Sequence, residues 1–404
     1  MLKNFLIFSK IVILCVLIFK PVFSKTATGT IDFQTWLEKF KLEAISRNIS
    51  KSTILRTFEG VKPIARVIEL DRHQSEFILS LGKYLSRSVT KSRITQGRKL
   101  LKKNTTLLNR IAAKYKVQPR FLVSFWGLET NFGSYTGVFP VVSALVTLAH
   151  DRRRPKFFRK QLFALLELIE EGHIDHKVKG SWAGAMGNHQ FIPTTYRDFA
   201  NDFDGDGKVD LWGSKPDTFA SAANYLNKVG WDQNRNWGRQ VSLPNNFSYQ
   251  LTGLNIQKKL SDWSKLGVVR ADGSKLPLAD ITASLILPAG YKGPAFLVYK
   301  NFRKILIWNR SIFYALAVGI LADKIDGRKG LETIALPAIP NYSISRKQIM
   351  TMQRKLTLKG FNTHGIDGKL GPKTRQAIRS FQKELNLPQD GFPTISLLQY
   401  LKKN

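Results

Sequence analysis

The sequence predicts an α+β protein that is predominantly helical. Apolar residues recur with a helical period along most of the chain up to about residue 232, whereas residues 240–300 contain short apolar runs between Gly and Pro. Apolar residues make up 43% of the 404 residues and charged residues 23%, which is typical of globular proteins and excludes a disordered or fibrous chain. This length corresponds to two or three domains.

The helical period begins near residue 33, where apolar side chains follow the i, i+3, i+4, i+7 spacing: Phe33, Trp36, Leu37 and Phe40. Short strands are predicted at 281–287 and 295–299, and a helix returns at 311–325. Residues 336–342 contain two prolines and no periodicity, so we expect a linker there.

The chain is strongly basic, because its 63 Lys and Arg against 29 Asp and Glu give a net charge of +34. An excess of this size indicates a polyanionic partner, and nucleic acid, an anionic membrane and an acidic cell-wall polymer all fit. The single cysteine, Cys15, excludes a disulfide framework and a Cys-based zinc or iron–sulfur site.

Residues 1–24 have the three-part pattern of a secretory signal peptide, with Lys3 and Lys10 before an unbroken apolar run at 11–19. A membrane anchor is the alternative, but this run is about half of the ~20 residues that a spanning helix needs. Lipidation of Cys15 is a further alternative, although bulky residues precede it. We therefore expect this segment to be cleaved, which leaves a periplasmic protein with a net charge of +31, no transmembrane segment and no nucleic-acid partner. We also expect the protein to be a monomer.

Residues 343–404 form a separate unit with three short helical patterns and a net charge of +9. Glycines suit a tight turn before Pro372, which fits the first position of the second helix. From Asp367 the string Asp-Gly-x-x-Gly-Pro-x-Thr-x-x-Ala-Ile-x-x-Phe-Gln resembles the peptidoglycan-binding module at the ends of many cell-wall enzymes. The second turn, at 389–393, lacks the further glycine usual there. A protein-binding helical module is the alternative.

Glu129 is the candidate catalytic acid. It ends the apolar segment that opens at Pro119, and it is the only charged residue between Arg120 and His150. A carboxyl among aromatic side chains loses hydration when it ionises, so its pKa is expected to rise, as a general acid near neutral pH requires. The alternative is that Glu129 merely ends a buried helix at the solvent.

A second motif lies at 180–196, where small residues alternate with Met and Trp, and Ser181 and Gln190 add a hydroxyl and an amide. Sugars bind to such mixtures of close backbone approach, stacking surface and neutral hydrogen bonds. Together, Trp-Gly-Leu-Glu-Thr-Asn-Phe-Gly at 126–133 and Ala-Gly-Ala-Met-Gly-Asn-His-Gln-Phe-Ile-Pro at 183–193 resemble the membrane-bound lytic transglycosylase B family of peptidoglycan-cleaving enzymes. The resemblance implies a lysozyme-like catalytic domain over 25–335, with extra helical and small β subdomains.

Carried over residue by residue, this resemblance makes Glu129 the sole catalytic acid/base. It also implies a set of side chains along the glycan cleft: Tyr84, Ser181, Met186, Gln190, Tyr225, Asn309 and Tyr314. Trp308 stands where the family often has a tyrosine, so an indole N–H replaces a phenol there. Plain core packing is the alternative for Tyr84 and Trp308.

The implied reaction cleaves the β-1,4 bond between N-acetylmuramic acid and N-acetylglucosamine and leaves a 1,6-anhydromuramyl end, with no cofactor required. The alternatives are a hydrolytic muramidase and a non-catalytic peptidoglycan-binding scaffold, and the export signal opposes a DNA-binding protein. A hydrolase usually has a second carboxylate. The acids between Glu129 and Gln190 lie in charged helical surroundings typical of solvated faces: Asp151, Glu167, Glu170, Glu171 and Asp175.

Residues 202–210 match an EF-hand calcium loop, which has carboxylates at positions 1, 3 and 5, glycine at 6 and a main-chain carbonyl at 7. The corresponding residues are Asp202, Asp204, Asp206 and Lys208. Gly213 replaces the final glutamate, and the family resemblance supplies a late aspartate, Asp217. We expect a structural Ca²⁺, with an Asp-Gly turn cluster as the alternative. His173 and His176 are weaker metal candidates because no third ligand is evident.

Overall fold

A computed structural model describes residues 32–72, 79–328 and 344–403. The predicted signal peptide at 1–24 and linker at 336–342 lie outside these residues. Within them the helices are α1 (Phe33–Ser46), α2 (Lys51–Phe58), α3 (Ala65–Arg72), α4 (Leu81–Ser88), α5 (Lys91–Lys103), α6 (Thr105–Tyr115), α7 (Pro119–Thr130), α8 (Val141–His150), α9 (Pro155–Glu170), α10 (Pro193–Phe199), α11 (Lys215–Lys228), α12 (Leu260–Lys265), α13 (Lys300–Trp308), α14 (Ile312–Ile325), α15 (Arg346–Leu358), α16 (Pro372–Glu384) and α17 (Ile395–Lys403).

The described strands form two antiparallel sheets. The strands are β1 (Phe139–Pro140), β2 (Lys179–Gly180), β3 (Gly238–Ser242), β4 (Lys258–Lys259), β5 (Val269–Arg270), β6 (Thr282–Ile286) and β7 (Ala295–Val298). β1 pairs with β2, and the other strands form a sheet of order β4-β6-β7-β3-β5. The α+β class, the strand-rich stretch near 240–300 and the helix near 311–325 are therefore confirmed.

Helices α7 and α14 form the centre of the larger core and place the candidate acid. Pro119 occupies the first turn of α7, as predicted, where its missing N–H costs no hydrogen bond. The Ser311 hydroxyl accepts a hydrogen bond from the Tyr314 N–H at 3.2 Å and so caps the start of α14. Most residues of both helices are buried, because their sequences are largely apolar on all sides.

The terminal unit has its own core, built from one apolar face of each of α15, α16 and α17. Two buried glutamines hold its turns in the same way. Gln353 donates to Asp367 and accepts from the Gly368 N–H, while Gln382 donates to Asp390 and accepts from the Gly391 N–H. The second turn thus keeps the hydrogen-bond pattern of the first despite its missing glycine.

The terminal unit also packs against the region of the five-stranded sheet. Arg379 donates to the Thr252 carbonyl at 3.1 Å, and the Tyr291 N–H donates to Asp390 at 2.8 Å. These contacts join the terminal unit to the region of the five-stranded sheet.

No single helix among the described residues combines the length and the apolar composition of a membrane span. Helices α13 and α14 together have both, but they are bent by 118° at the break between them.

Candidate active site

Glu129 lies in the last turn of α7, half-buried, where side chains from another part of the chain reach it. Its Oε1 accepts a hydrogen bond from the Trp308 indole N–H at 2.9 Å and a second one from the Tyr314 hydroxyl. Two donors on one oxygen stabilise negative charge there and leave Oε2 as the oxygen that carries the proton when the carboxyl is protonated.

Trp308 is the centre of the aromatic cluster beneath the acid. Its ring centroid lies 4.5 Å from that of Phe125, 5.1 Å from Tyr225 and 5.6 Å from Phe191. α7, α11, the motif at 180–196 and the end of α13 therefore meet around one indole. The predicted replacement of a phenol by an indole N–H gives Glu129 a rigid donor, because the ring is held on several sides.

Asn188 ties the motif at 180–196 to the last turn of α7. Its Oδ1 accepts from the Trp126 indole at 2.8 Å, and its carbonyl accepts from the Thr130 hydroxyl at 2.8 Å. Gly133 allows this approach, because it has φ +82° and a Cβ would lie 2.5 Å from Asn188 Oδ1. Sequence reasoning did not single out Asn188, and its place inside the motif was the available signal.

Three of the predicted cleft residues lie in this motif loop, and their side chains are engaged by protein groups or buried. The Ser181 hydroxyl accepts from the Ala185 N–H at 2.9 Å, and the Gln190 amide donates to the Thr136 and Gly187 carbonyls at 3.1 and 3.0 Å. Met186 is fully buried, so the structure places it beneath the loop and not on its surface. Substrate contacts by these three side chains stay predictions.

The other predicted cleft residues lie on three helices and one turn. Tyr225 and Tyr314 join the cluster around Glu129 and Trp308. Tyr84 packs against Phe313, with ring centroids 5.7 Å apart, and Asn309 accepts from the Ser311 N–H at 3.0 Å at the turn before α14. The structure thus brings Tyr314 to Glu129 and Tyr225 to the Trp308 ring, while Tyr84 and Asn309 contact the start of α14.

The carboxylates considered as second catalysts have partners elsewhere. Asp151 pairs with Arg72 at 2.7 Å, and Glu167 pairs with Arg197 at 2.6 Å. Glu170 accepts from the Ser50 hydroxyl at 2.9 Å, which joins the end of α9 to α2. The contacts of Glu167 and Glu170 support the interpretation of these acids as parts of solvated helix faces, whereas Asp151 is 13% exposed and follows the end of α8.

His189 lies under the site as a neutral base. It is 2% exposed, and its Nε2 donates to the Leu122 carbonyl at 3.2 Å, a role assigned because a carbonyl only accepts. Burial lowers the pKa of His189 to about 4. The charged form is therefore disfavoured in the folded state.

We expect acid to destabilise the fold through His189. Its pKa falls from 6.5 in the unfolded chain to about 4 in the folded one, so the unfolded state binds more protons between these values. The resulting stability is complete above pH 6.5 and is lost as the pH falls through 4, by about 3 kcal/mol in total. Urea unfolding at several pH values measures the slope, which His189→Gln should reduce and the exposed His173→Gln should not. An unchanged slope in His189→Gln would contradict this assignment.

The predicted calcium loop brings three carboxylates together. Oxygens of Asp202, Asp204 and Asp217 lie within 4.8 Å of one another, and this is the one such group of acidic or histidine side chains in the described residues. Asp217 is 1% exposed and accepts from the N–H groups of Phe203 and Asp210 at 2.8 and 2.9 Å. The late aspartate therefore lies beside loop positions 1 and 3, and hard oxygen ligands of this kind suit Ca²⁺.

Comparison with protein families identifies two matches. Residues 32–323 match the family described as Transglycosylase SLT domain. Residues 345–401 match the Putative peptidoglycan binding domain.

Individual relatives agree with these matches. The chain is 30% identical over 257 residues to Membrane-bound lytic murein transglycosylase B of Escherichia coli K12, covering 60% of this chain and 66% of that protein, just under two thirds of its length. It is 43% identical to SltB3 from Pseudomonas aeruginosa, solved in complex with NAG-anhNAM-pentapeptide, with a TM-score of 0.87 over 92% of this chain and 99% of that one. Slt35 from Escherichia coli, solved in complex with calcium, is 27% identical, with a TM-score of 0.61 over 72% of this chain and 92% of that one.

Proposed function

The chain belongs to the transglycosylase SLT domain family, and on that premise we propose that it is a lytic transglycosylase that cleaves peptidoglycan. The bond broken is the β-1,4 bond between N-acetylmuramic acid and N-acetylglucosamine, and the new muramyl end is a 1,6-anhydro ring. The observation that carries this proposal is the single carboxyl of Glu129, held by Trp308 and Tyr314.

In the first step Glu129 acts as the acid. Oε2 gives its proton to the glycosidic oxygen, the bond to the muramyl C1 breaks, and the N-acetyl group of the same sugar supports the oxocarbenium-like centre. The carboxylate left behind shares its charge with Oε1, where the indole and phenol donors stabilise it. These donors are already in place, so little reorganisation is needed as the charge develops.

In the second step the same carboxylate acts as the base. It takes the proton of the muramyl C6 hydroxyl, and the C6 oxygen attacks C1 to close the anhydro ring. Glu129 regains its proton, so one group completes the cycle. The positions of Asp151, Glu167 and Glu170, each engaged on another face, support a mechanism without a second carboxylate. SltB3, solved with an anhydromuramyl ligand, supports the proposed product by analogy.

Digestion of purified sacculi tests the proposed reaction. The muropeptides released are separated and their masses measured, and an anhydro end is lighter by one water than a reducing end. We expect anhydro ends. Reducing ends would identify a hydrolytic muramidase, and no release of soluble fragments would identify a non-catalytic scaffold.

We further propose that the mature chain acts as a monomer in the periplasm, bound to peptidoglycan by the unit at 345–401. The net charge of +9 over 343–404 supports retention on a polymer that carries stem-peptide carboxylates. Analytical ultracentrifugation of the mature protein tests the oligomeric state, and cell fractionation tests the location.

We also propose that the loop at 202–217 holds a structural Ca²⁺. Asp202, Asp204 and Asp217 would supply carboxylate oxygens, with Asp206 and the Lys208 carbonyl as the remaining loop positions. The ion would hold the start of α11 against the loop and takes no part in the proton transfers. Slt35, solved in complex with calcium, supports this proposal by analogy.

Calcium is therefore expected to raise the melting temperature. At a free concentration of one hundred times Kd, the gain in unfolding free energy is about 2.7 kcal/mol, and a chelator should remove it. Asp217→Asn should abolish the response to calcium. Asp272→Asn is the control, because Asp272, like Asp217, accepts a hydrogen bond from a backbone N–H but lies in an exposed turn. This variant should respond to calcium as the unmodified protein does. Equal melting temperatures with calcium and with chelator would contradict the proposal and mean that the loop is an Asp-Gly turn cluster that binds no ion.

A further inference from the structure

We propose that Arg120 and Asp323 form a positioning pair that sets the register between α7 and α14 and so holds Tyr314 on Glu129. The catalytic consequence rests on the proposed function, whereas the register itself does not. The pair lies at the opposite end of both helices from the acid, and neither residue touches Glu129 in the contacts described above.

The spacing along the two helices matches. Arg120 precedes Glu129 by nine residues on α7, and Asp323 follows Tyr314 by nine residues on α14. Nine residues of α-helix span about 14 Å, so two antiparallel helices with this spacing make both contacts at once. Between them the Ser124 hydroxyl donates to the Val318 carbonyl at 2.7 Å. Three polar contacts therefore agree on a single register.

The pair is buried and charged, which distinguishes it from the apolar contacts around it. The side chains of Arg120 and Asp323 are 7% and 5% exposed, with Nε and Oδ1 3.6 Å apart. Burial lowers the pKa of Arg120 and raises that of Asp323, and the opposite charge of the partner acts against each shift. A buried ion pair is often no more stabilising than an apolar pair of similar size, and its best-attested use is to specify register.

Neighbouring contacts hold Asp323 in place from the side of the sheet. The Trp237 indole donates to Asp323 Oδ2 at 2.8 Å, and the same ring lies against Gly319, where a Cβ would come within 2.3 Å of it. Arg120 also approaches Asp326, with Nη1 and Oδ2 3.4 Å apart. The network thus joins α7, α14 and the residue before β3.

A slip of the helices would separate the donor from the acid. Moving α14 by one residue shifts Tyr314 by about 1.5 Å along the axis and rotates it by about 100°, and a hydrogen bond does not survive such a shift. The contacts between apolar side chains of α7 and α14 are not directional, so they do not fix the alignment by themselves. The polar contacts therefore specify the alignment.

Asp323→Asn tests the proposal, because the amide still accepts from Trp237 but carries no charge. We expect kcat to fall about tenfold with KM within a factor of two, since small misplacements of catalytic groups slow the chemical step. The alkaline limb of the pH–rate profile should move to higher pH, because loss of the Tyr314 hydrogen bond favours the protonated form of Glu129. Tyr314→Phe should move it in the same direction. In a Tyr314→Phe background, Asp323→Asn should cause no further loss of kcat, because both changes remove the same contact.

Asp71→Asn is the matched control. Asp71 is another buried aspartate, 2% exposed, and it pairs with Arg153 and Arg154 away from α7 and α14. It should lower the melting temperature as Asp323→Asn does and leave kcat and the pH–rate profile unchanged. Arg120→Lys keeps the charge but loses the guanidinium, so it should lower kcat by less than Asp323→Asn does, and it serves if the latter does not fold.

Two results would overturn the proposal: an Asp323→Asn or Arg120→Lys protein with unchanged kcat and pH–rate profile, or losses that multiply in the double variant. A carbon NMR titration of protein labelled at the glutamate carboxyls, with Glu129 assigned from Glu129→Gln, tests the register between α7 and α14 separately from the proposed function. A shifted Glu129 titration in Asp323→Asn supports the register even if Glu129→Gln is fully active and the proposed function fails. An unshifted titration refutes the register whatever the activity.

Discussion

Replacing Glu129 by Gln is expected to lower kcat on sacculi by at least about 10³-fold. The amide can still accept hydrogen bonds from Trp308 and Tyr314, so the fold around it should persist. It cannot give a proton to the leaving oxygen or take one from the C6 hydroxyl, and general acid–base catalysis typically contributes about 10²–10⁴-fold. Release of soluble muropeptides measures the loss, and co-sedimentation with sacculi should show that binding is retained.

Glu167→Gln is the matched control for this substitution. Glu167 lies on α9 and pairs with Arg197 on the protein surface, so kcat should stay within a factor of two. Full turnover by Glu129→Gln, in protein shown to be folded, would remove Glu129 from the mechanism and favour a different catalyst.

Tyr314→Phe is expected to lower kcat by about 10-fold to 10²-fold with little change in KM. The phenol donates to the oxygen that gains charge when the acid loses its proton, so its removal weakens an interaction that strengthens during the reaction. A lost donor to a carboxylate also favours the protonated form. The acid should therefore stay protonated to higher pH, and the alkaline limb of the pH–rate profile should move upward.

Tyr299→Phe provides the comparison, because Tyr299 is also buried and its hydroxyl accepts from Arg239 in the sheet region. It should change stability without moving the pH–rate profile. A Tyr314→Phe enzyme with an unchanged profile would mean that the phenol does not act on the acid.

The sequence predicts much of the fold because its strongest signals are local. Pro119 marks the start of α7, the apolar run that follows predicts a buried helix, and the Gly and Pro residues near 240–300 delimit the strands of the sheet. The three helices of the terminal unit follow from the apolar periodicity of each segment.

The remaining elements depend on contacts between distant segments. β1 and β2 have two residues each and exist through their pairing with one another, and α12 is a short helix inside a strand-rich stretch. No local pattern contains this information, so neither feature was predicted.

The candidate site divides in the same way. Glu129 could be found because it is a lone charge in an apolar segment, and the motif at 180–196 could be found from its composition. The donors to Glu129 lie 179 and 185 residues further along the chain, so they were accessible only through family resemblance, which indicated Tyr314 and noted Trp308 as a departure. The tie through Asn188 and the Arg120–Asp323 pair required the packed structure.

The central claim is that one carboxyl performs both proton transfers and that no water attacks the muramyl C1. The most direct test is to cleave a defined glycan strand in water enriched in the heavy oxygen isotope and to measure the mass of the new muramyl end. Intramolecular attack by the C6 oxygen predicts an anhydro end with no heavy oxygen. A reducing end carrying one heavy oxygen per cleavage would contradict the account and identify the enzyme as a hydrolase.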